Sequence, residues 1–415
     1  MKKIIFFTSK YPFRVVGENF FESELAGVAP NYDEVYIVTC NTREKNKTIQ
    51  KELPQNVKAI AINRNSFYSD IILGALSLPF SKDFYREFGQ LLKEKKPLLA
   101  GLKRILYSVS YYNAICRHLK GVADKIPMDK DDDITLCGYW LSYISAAILK
   151  FKKYLPNDDI KVVSRAHGPA DIINLMTPNR FFPFQQFLLK NLDGVLGISD
   201  SGCDYLKSLS PRPEIISRIY IGSLGNAEYI EHSRAPFTVM TCANFFKHKR
   251  VSIVADAIHI LVKDIPDIKW VHFGDGPLRE QIENSCQDIK ENIEFKGNRP
   301  HDELIAYLES GKPSVFVSAS AAEGLPVSIM EALAYSTPVV ATDVNASREA
   351  VISGKTGTLV NADITPEEIA AAVLEYYKMN DEDYDAICRS AHSFWKENLD
   401  SIETSKLLAQ KLLTY

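Results

Sequence analysis

The sequence predicts an α/β protein made of two doubly wound domains, each built on a parallel sheet. Three observations predict it. Short apolar, β-branched runs alternate with longer helical patterns from end to end. Most of these runs are continuously apolar rather than alternating, as strands covered by helices on both faces must be. The alternation restarts near Pro236, after a polar stretch, Asn226–Arg234, that reads as a linker. At about 150 residues per domain, a chain of 415 residues holds two or three domains.

In the first half the strand candidates are Lys3–Phe7, Glu34–Thr39, Val57–Ile62, Ile134–Gly138, Lys161–Arg165, Gly194–Ile198 and Arg218–Ile221. In the second half they are Phe237–Cys242, Lys269–Phe273, Asn292–Lys296, Ser314–Val317, Pro338–Thr342 and Thr358–Val360. The expected divisions are a first domain over 1–225, a linker over 226–235, a second domain over 236–385 and a C-terminal helical segment over 386–415. That segment (Ile402, Leu407, Leu408, Leu412) is expected to pack back on the first domain. Ligands of such sheets bind beyond the carboxyl ends of the strands. Two domains facing each other would then enclose a deep cleft.

Composition removes several classes. Apolar residues make up 46% and charged residues 24%, so disorder, collagen and coiled coil are excluded as the main architecture. The net charge of −3 excludes a polycation that binds nucleic acid by charge. The uncharged runs Ile71–Ser81 and Ile134–Leu149 fall short of the ~20 residues of a membrane span. The apolar start at Ile4–Phe7 is too short for a signal peptide. Seven cysteines are scattered without a C-x-x-C pair, so a reducing cytoplasm is expected. Residues 91–130 carry nine Lys/Arg and three acids, interleaved with Leu98, Leu99, Leu102, Ile105, Leu106, Tyr111 and Tyr112. A solvated helix face fits them, and so does a surface that meets anionic lipid.

The chemistry concentrates in the second half. The strand Ser314–Val317 is followed by Ala321-Ala322-Glu323-Gly324-Leu325-Pro326-Val327-Ser328-Ile329-Met330-Glu331. Pro326 suits the first position of a helix. The amides of that helix start, with its positive dipole end, would hold an anion such as a diphosphate. Glu331 shares the apolar stripe of Val327, Met330 and Ala334, so it should be buried and must find donors. Ribose hydroxyls could supply them, and so could a structural partner.

Glu323 and Glu331 together resemble the E-x7-E signature of retaining glycosyltransferases of the GT-B fold, the group 1 or family four type. The resemblance is strongest from Thr241 to Val360 and is similar to the branch that makes bacterial surface polysaccharides. Phe273-Gly274-Asp275-Gly276 resembles the family's glycine turn, and Phe295-Lys296-Gly297-Asn298 the turn against the nucleotide base. Thr337-Pro338 and Gly354-Lys355-Thr356-Gly357 are similar to the strand and turn that follow. The resemblance implies that Glu331 binds the ribose hydroxyls and Glu323 the donor sugar. It further implies that Gly324, Leu325, Pro326 and Val327 lie against the sugar or diphosphate, with the free amides of this stretch, Pro326 having none, as donors. Gly274, Gly297 and Asn298 would line the nucleotide. Lys249 matches the family's diphosphate lysine. Asn244 stands where the family usually has arginine, which removes a fixed charge unless Lys247 or Arg250 replaces it. Tyr335-Ser336 and Asn345-Ala346 also depart from the pattern.

In the first domain, Val162–Ala166 leads into His167 and Gly168. By resemblance His167 contacts the donor sugar. Arg165 either anchors the loop or meets an acidic acceptor. Gly17, in the loop after the first strand, would let backbone approach the diphosphate. Glu18 next to it either touches acceptor hydroxyls or compensates a helix dipole. Tyr139 and Trp140 border the acceptor or belong to the core.

The expected activity is therefore retaining transfer of a hexose from a UDP or GDP sugar to a saccharide acceptor, free or lipid-linked. His167, Lys249 and Glu323 would be catalytic. No cofactor beyond the donor substrate and no metal ligand set is expected, nor any nucleic-acid partner. The expected place is the cytoplasm, at the inner face of the cytoplasmic membrane if residues 91–130 meet lipid. A dinucleotide-dependent oxidoreductase is disfavoured, because the third glycine of its fingerprint falls on Arg279. A nucleotide-sugar epimerase and a non-catalytic sugar-nucleotide binding module remain the rivals.

Overall fold

The computed structural model describes residues 1–13, 18, 20–43, 52–64, 67–157, 159–168, 172 and 179–415. They form two compact units, Met1–Ile221 with Thr404–Tyr415, and Gly222–Glu403.

The first unit holds β1 (Lys2–Thr8), β2 (Glu34–Arg43), β3 (Val57–Arg64), β4 (Asp133–Gly138), β5 (Lys161–Ala166), β6 (Gly194–Gly197) and β7 (Ile216–Arg218). They lie in one sheet, ordered β3-β2-β1-β4-β5-β6-β7 and parallel throughout. The continuously apolar reading of β1 has its cause here. Ile4 and Phe6 enter the core on one face, Ile5 and Phe7 the core on the other. Phe6 meets Phe21 edge-on at 5.1 Å, and Phe7 meets Phe151 at 5.3 Å. Each buried phenylalanine contributes about 1.5–3 kcal/mol. The seventh strand differs from the expected Arg218–Ile221. A 3-10 turn at Pro213–Ile215 starts it earlier, and Ile216 pairs with Val195.

The C-terminal helix Ser401–Leu412 gives most of its length to this unit. Leu408, Ala409 and Leu412 are buried with Phe6 and Phe21. A Cβ on Gly27 would stand 2.1 Å from Ser405 Oγ, so the close approach requires glycine.

The second unit holds β8 (Thr238–Cys242), β9 (Lys269–Phe273), β10 (Ile293–Gly297), β11 (Val315–Ser318), β12 (Val339–Thr342) and β13 (Gly357–Val360). Their order is β10-β9-β8-β11-β12-β13, again all parallel. Both sheets are α/β and doubly wound, as expected. The strand order reverses between β1 and β4 in one and between β8 and β11 in the other. Such reversals open the crevices where ligands bind.

Residues 226–235, expected as a linker, are bonded to the second unit. Arg234 donates to the carbonyls of Tyr376, Tyr377 and Met379 and pairs with Asp381. His232 sits between the carbonyls of Pro313 and Tyr335. Residues 91–130 are not one amphipathic face. The helix Leu98–Cys116 buries Ile105, Tyr111 and Tyr112 in the core and leaves Leu98 and Leu99 exposed.

Among the described residues no helix is long and apolar enough to cross a membrane. No three His, Cys, Asp or Glu side chains among them gather as metal ligands.

Candidate donor site and its first-unit counterpart

Four loops at the carboxyl ends of β10, β9, β8 and β11 meet at the crevice of the second sheet. The loop after β8 runs through Asn244, which is exposed, to the 3-10 turn Lys247–Lys249. The turn after β9 presses against it. Phe245 N donates to Asp275 O at 3.1 Å. Gly274 has φ +136°, and a Cβ there would lie 2.0 Å from Ala243 O. Only glycine lets the two backbones pass so closely. Gly274 N also donates to Gly297 O at 3.0 Å, which joins the turn after β10 to the same cluster. Asn298 follows, exposed to solvent. Beneath the turn lies a network the sequence did not disclose. Trp270 Nε1 donates to Thr241 Oγ1, which lies 2.7 Å from His272 Nδ1. Burial holds the His272 pKa down to about 4, so the ring is neutral.

The loop after β11 is tied to the loop after β8 by Ala321 N, which donates to His248 O at 2.8 Å. Arg250 adds to the tie. Its φ is +50°, and its guanidinium donates to the carbonyls of Ala319, Ser320 and Ala362. Arg250 thus builds the loop, and Lys249 is the cation beside the crevice. Lys249 Nζ lies 2.6 Å from Glu323 Oε1, both side chains partly exposed.

The helix Val327–Ala334 starts next. Pro326 sits at its N-cap rather than its first turn, and no side chain caps it. Its first amides therefore remain a place for an anion. Gly324 is half-buried, Leu325 and Pro326 are buried, and Val327 is 39% exposed at the helix tip. Glu331 is buried at 7% exposure, as its place on the stripe required. His301 Nε2 donates to Glu331 Oε1 at 2.7 Å. That bond raises the His301 pKa. His301 is a site residue that sequence reasoning missed. Its one local signal was its position after Pro300, at the start of the helix His301–Glu309.

In the first unit His167 follows β5 directly, buried among the rings of Phe20, Tyr139 and Trp140 at 5.2, 4.7 and 4.8 Å. Burial, and then the Arg165 charge, hold its pKa well below 6.5, so the imidazole is neutral. Arg165 is fully buried, pairs with Glu24 and donates to Ile219 O at 2.9 Å. It anchors the fold and does not reach an acceptor. Glu18 is buried too. Its carboxylate accepts from the amides of Ser9, Lys10 and Tyr11 and from Trp140 Nε1. It joins the loops after β1 and β4, a role neither reading of Glu18 foresaw. Gly17 lies outside the described residues.

Residues 229–392 match the family model of glycosyl transferases group 1. Residues 229–392, in the second unit, thus resemble that family, and both sheets in the order described give the chain a GT-B fold. It is 24% identical over 263 residues to a putative colanic acid biosynthesis glycosyltransferase, WcaL, of Salmonella typhimurium (61% of this chain, 64% of that one). It is 27% identical over 154 residues to the GtfA subunit of a UDP-N-acetylglucosamine–peptide N-acetylglucosaminyltransferase of Streptococcus parasanguinis (36% of this chain, 29% of that one). The matches thus span less than two thirds of either relative. The crystal structure of HepE from Anabaena in complex with UDP superposes with a TM-score of 0.68 at 15% identity, over all of both chains. At that identity the likeness concerns the fold.

Proposed function

We propose that the protein is a retaining glycosyltransferase of surface polysaccharide synthesis. It would move a hexose from a nucleoside diphosphate sugar to a saccharide acceptor, lipid-linked in the cell. The observation that carries this reading is the grouping at the β8/β11 crevice. Lys249 and Glu323 lie 2.6 Å apart beside an uncapped helix start, with buried Glu331 four residues along that helix. UDP is the first nucleotide to test, since HepE was crystallised with UDP and GtfA is named for a UDP-sugar donor.

In this reading Glu331 accepts the ribose hydroxyls, in place of or beside His301. The amides of Val327 and Ser328 hold the diphosphate, with Lys249 as its cation. Glu323 holds hydroxyls of the sugar. The bond from C1 to the phosphate oxygen breaks, and Lys249 and the helix start stabilise the charge that develops. The acceptor oxygen attacks on the face the diphosphate leaves, and its proton passes to the leaving phosphate. No metal is used. Neutral His167 hydrogen-bonds a sugar hydroxyl. The enzyme works in the cytoplasm at the membrane's inner face.

A donor screen tests this, with each nucleotide sugar measured for hydrolysis and for thermal shift together. UDP- or GDP-hexose should shift melting and be hydrolysed slowly. Its transferred sugar should keep the anomeric configuration by NMR. Donor turnover to an isomer without acceptor would establish the epimerase instead. Thermal shift without any turnover, or an established transfer untouched by Glu323→Ala, would overturn the catalytic assignment.

A further inference from the structure

The helix Leu98–Cys116 presents Ala100, Lys103, Arg104 and Tyr107 on one face, at helical spacing. That face lines a cavity of about 450 Å³ in the first unit, together with Ser142 and Arg180. Ser142 lies in the loop beyond the carboxyl end of β4, where ligands of parallel sheets bind. Three cations thus line one cavity, and no carboxylate is among its described lining residues. None of the three is ion-paired among the described residues. Arg180 Nε is buried without a hydrogen-bond partner among the described residues, its guanidinium over the Phe182 ring. Burial, and the charge of Arg104, both disfavour the charged form of Arg180. Two half-buried guanidiniums that repel each other call for an anion, and their planar donors suit phosphate.

A second cavity of about 350 Å³ shares Arg104 and Arg180 and is otherwise lined chiefly by Pro97, Ala100, Gly101 and Phe181. It runs to the start of the helix, where Leu98 and Leu99 are exposed, Leu99 at 84%. The turn Leu78–Phe80 packs on the same helix and leaves Phe80 88% exposed. The two guanidiniums are therefore shared by both cavities, the second of them lined mostly by apolar residues.

We propose that these joined cavities bind a diphosphate ester of an apolar chain, the anchor of a lipid-linked acceptor, with Arg104 and Arg180 on the phosphates and the chain along Pro97 and Phe181 toward Leu99. The proposal rests on the transferase reading for its biological sense, but its binding test does not.

The probes for the full chain are farnesyl diphosphate, inorganic pyrophosphate, farnesol and phosphatidylglycerol vesicles, each by calorimetry, with UDP as the control. Farnesyl diphosphate should bind at least about tenfold more tightly than pyrophosphate, since its chain is buried as well, and farnesol should bind weakly or not at all. The double variant Arg104→Gln, Arg180→Gln should weaken farnesyl diphosphate at least tenfold and leave UDP binding and melting unchanged. Ala100→Trp keeps the charges but fills the space, and should weaken it similarly. The proposal is overturned if both variants, folded by their melting curves, bind farnesyl diphosphate like the wild type. It is also overturned if pyrophosphate binds as tightly as the ester, or if only the vesicles bind. A failed donor screen with intact farnesyl diphosphate binding would sink the transferase reading and leave this one standing, and the reverse outcome would do the opposite.

Discussion

The contact between Lys249 and Glu323 separates a catalytic pair from a structural one. At 2.6 Å, and an effective dielectric of about 20, the raw attraction is about 6 kcal/mol. Both side chains reach solvent, at 24% and 14% exposure, so desolvation, side-chain entropy and screening offset most of it. The net contribution to stability is about 1 kcal/mol or less. A cation that stabilises charge on a leaving diphosphate is worth far more in the transition state, about 3–4 kcal/mol or 10²–10³ in rate. Lys249→Met should therefore lower kcat/KM by 10²–10³, while melting drops by no more than about 4 °C. The assay is release of nucleoside diphosphate from the preferred donor, beside thermal melting of Lys249→Met, Glu323→Gln and the double variant. If the pair only braced the loop, the double variant would regain activity lost in the singles. If both residues meet substrate, it will be no better than the worse single. Activity of Lys249→Met within threefold of wild type, or a loss that follows a melting drop of 10 °C or more, would refute the reasoning.

Three further outcomes are expected. Gly274→Ala must place its Cβ 2.0 Å from Ala243 O at φ +136°. Strain and overpacking should cost about 2–5 kcal/mol, read from the urea midpoint, and a loss below 1 kcal/mol would contradict the close passage. Glu18→Ala removes the acceptor of three backbone amides and Trp140 Nε1, and should cost about 2–4 kcal/mol. A neutral outcome would mean that the loops after β1 and β4 are held by other contacts. His301 is raised by its bond to Glu331, so the pair's stability is fully present below about pH 6.5 and is lost as pH rises through the folded pKa. His301 is half exposed, so the effect is below about 1 kcal/mol. The melting advantage of wild type over His301→Gln should be larger at pH 5.5 than at 8.5, and the opposite trend would contradict the assignment.

Strands were legible because burial on both faces of a parallel sheet writes a continuous apolar run. Phe6 and Phe7 serve opposite cores, and no alternation survives to confuse the period. The three-residue β7 was displaced because its run is too short to carry a period, and the turn at Pro213 decides where it starts. The burial of Glu331 was legible from helical spacing, but its partner was not. His301 comes from another helix, and only the fold brings the two together. Arg250 misleads for a related reason. In sequence it is one more cation beside Lys249, whereas the left-handed turn at its own backbone aims its guanidinium at three carbonyls.

The two switch points also show why similar sheets carry different chemistry. Between β8 and β11 the loops are joined through backbone contacts and Arg250, which leaves Lys249, Glu323 and the helix start at the edge of the crevice. Between β1 and β4 the joining element is a carboxylate. Glu18 takes up the amides of Ser9, Lys10 and Tyr11 that an anion would otherwise use. A diphosphate has little reason to bind there, because a fixed negative charge already holds those donors. The proposed anion site of the first unit lies instead on its flank, where no described lining residue competes as a carboxylate for Arg104 and Arg180. If Glu18→Gln, which keeps the shape and removes the charge, gave the first unit pyrophosphate binding that persists with Arg104 and Arg180 both replaced, that division would be confirmed. If it leaves pyrophosphate binding dependent on the two arginines, the carboxylate charge is not what keeps anions out.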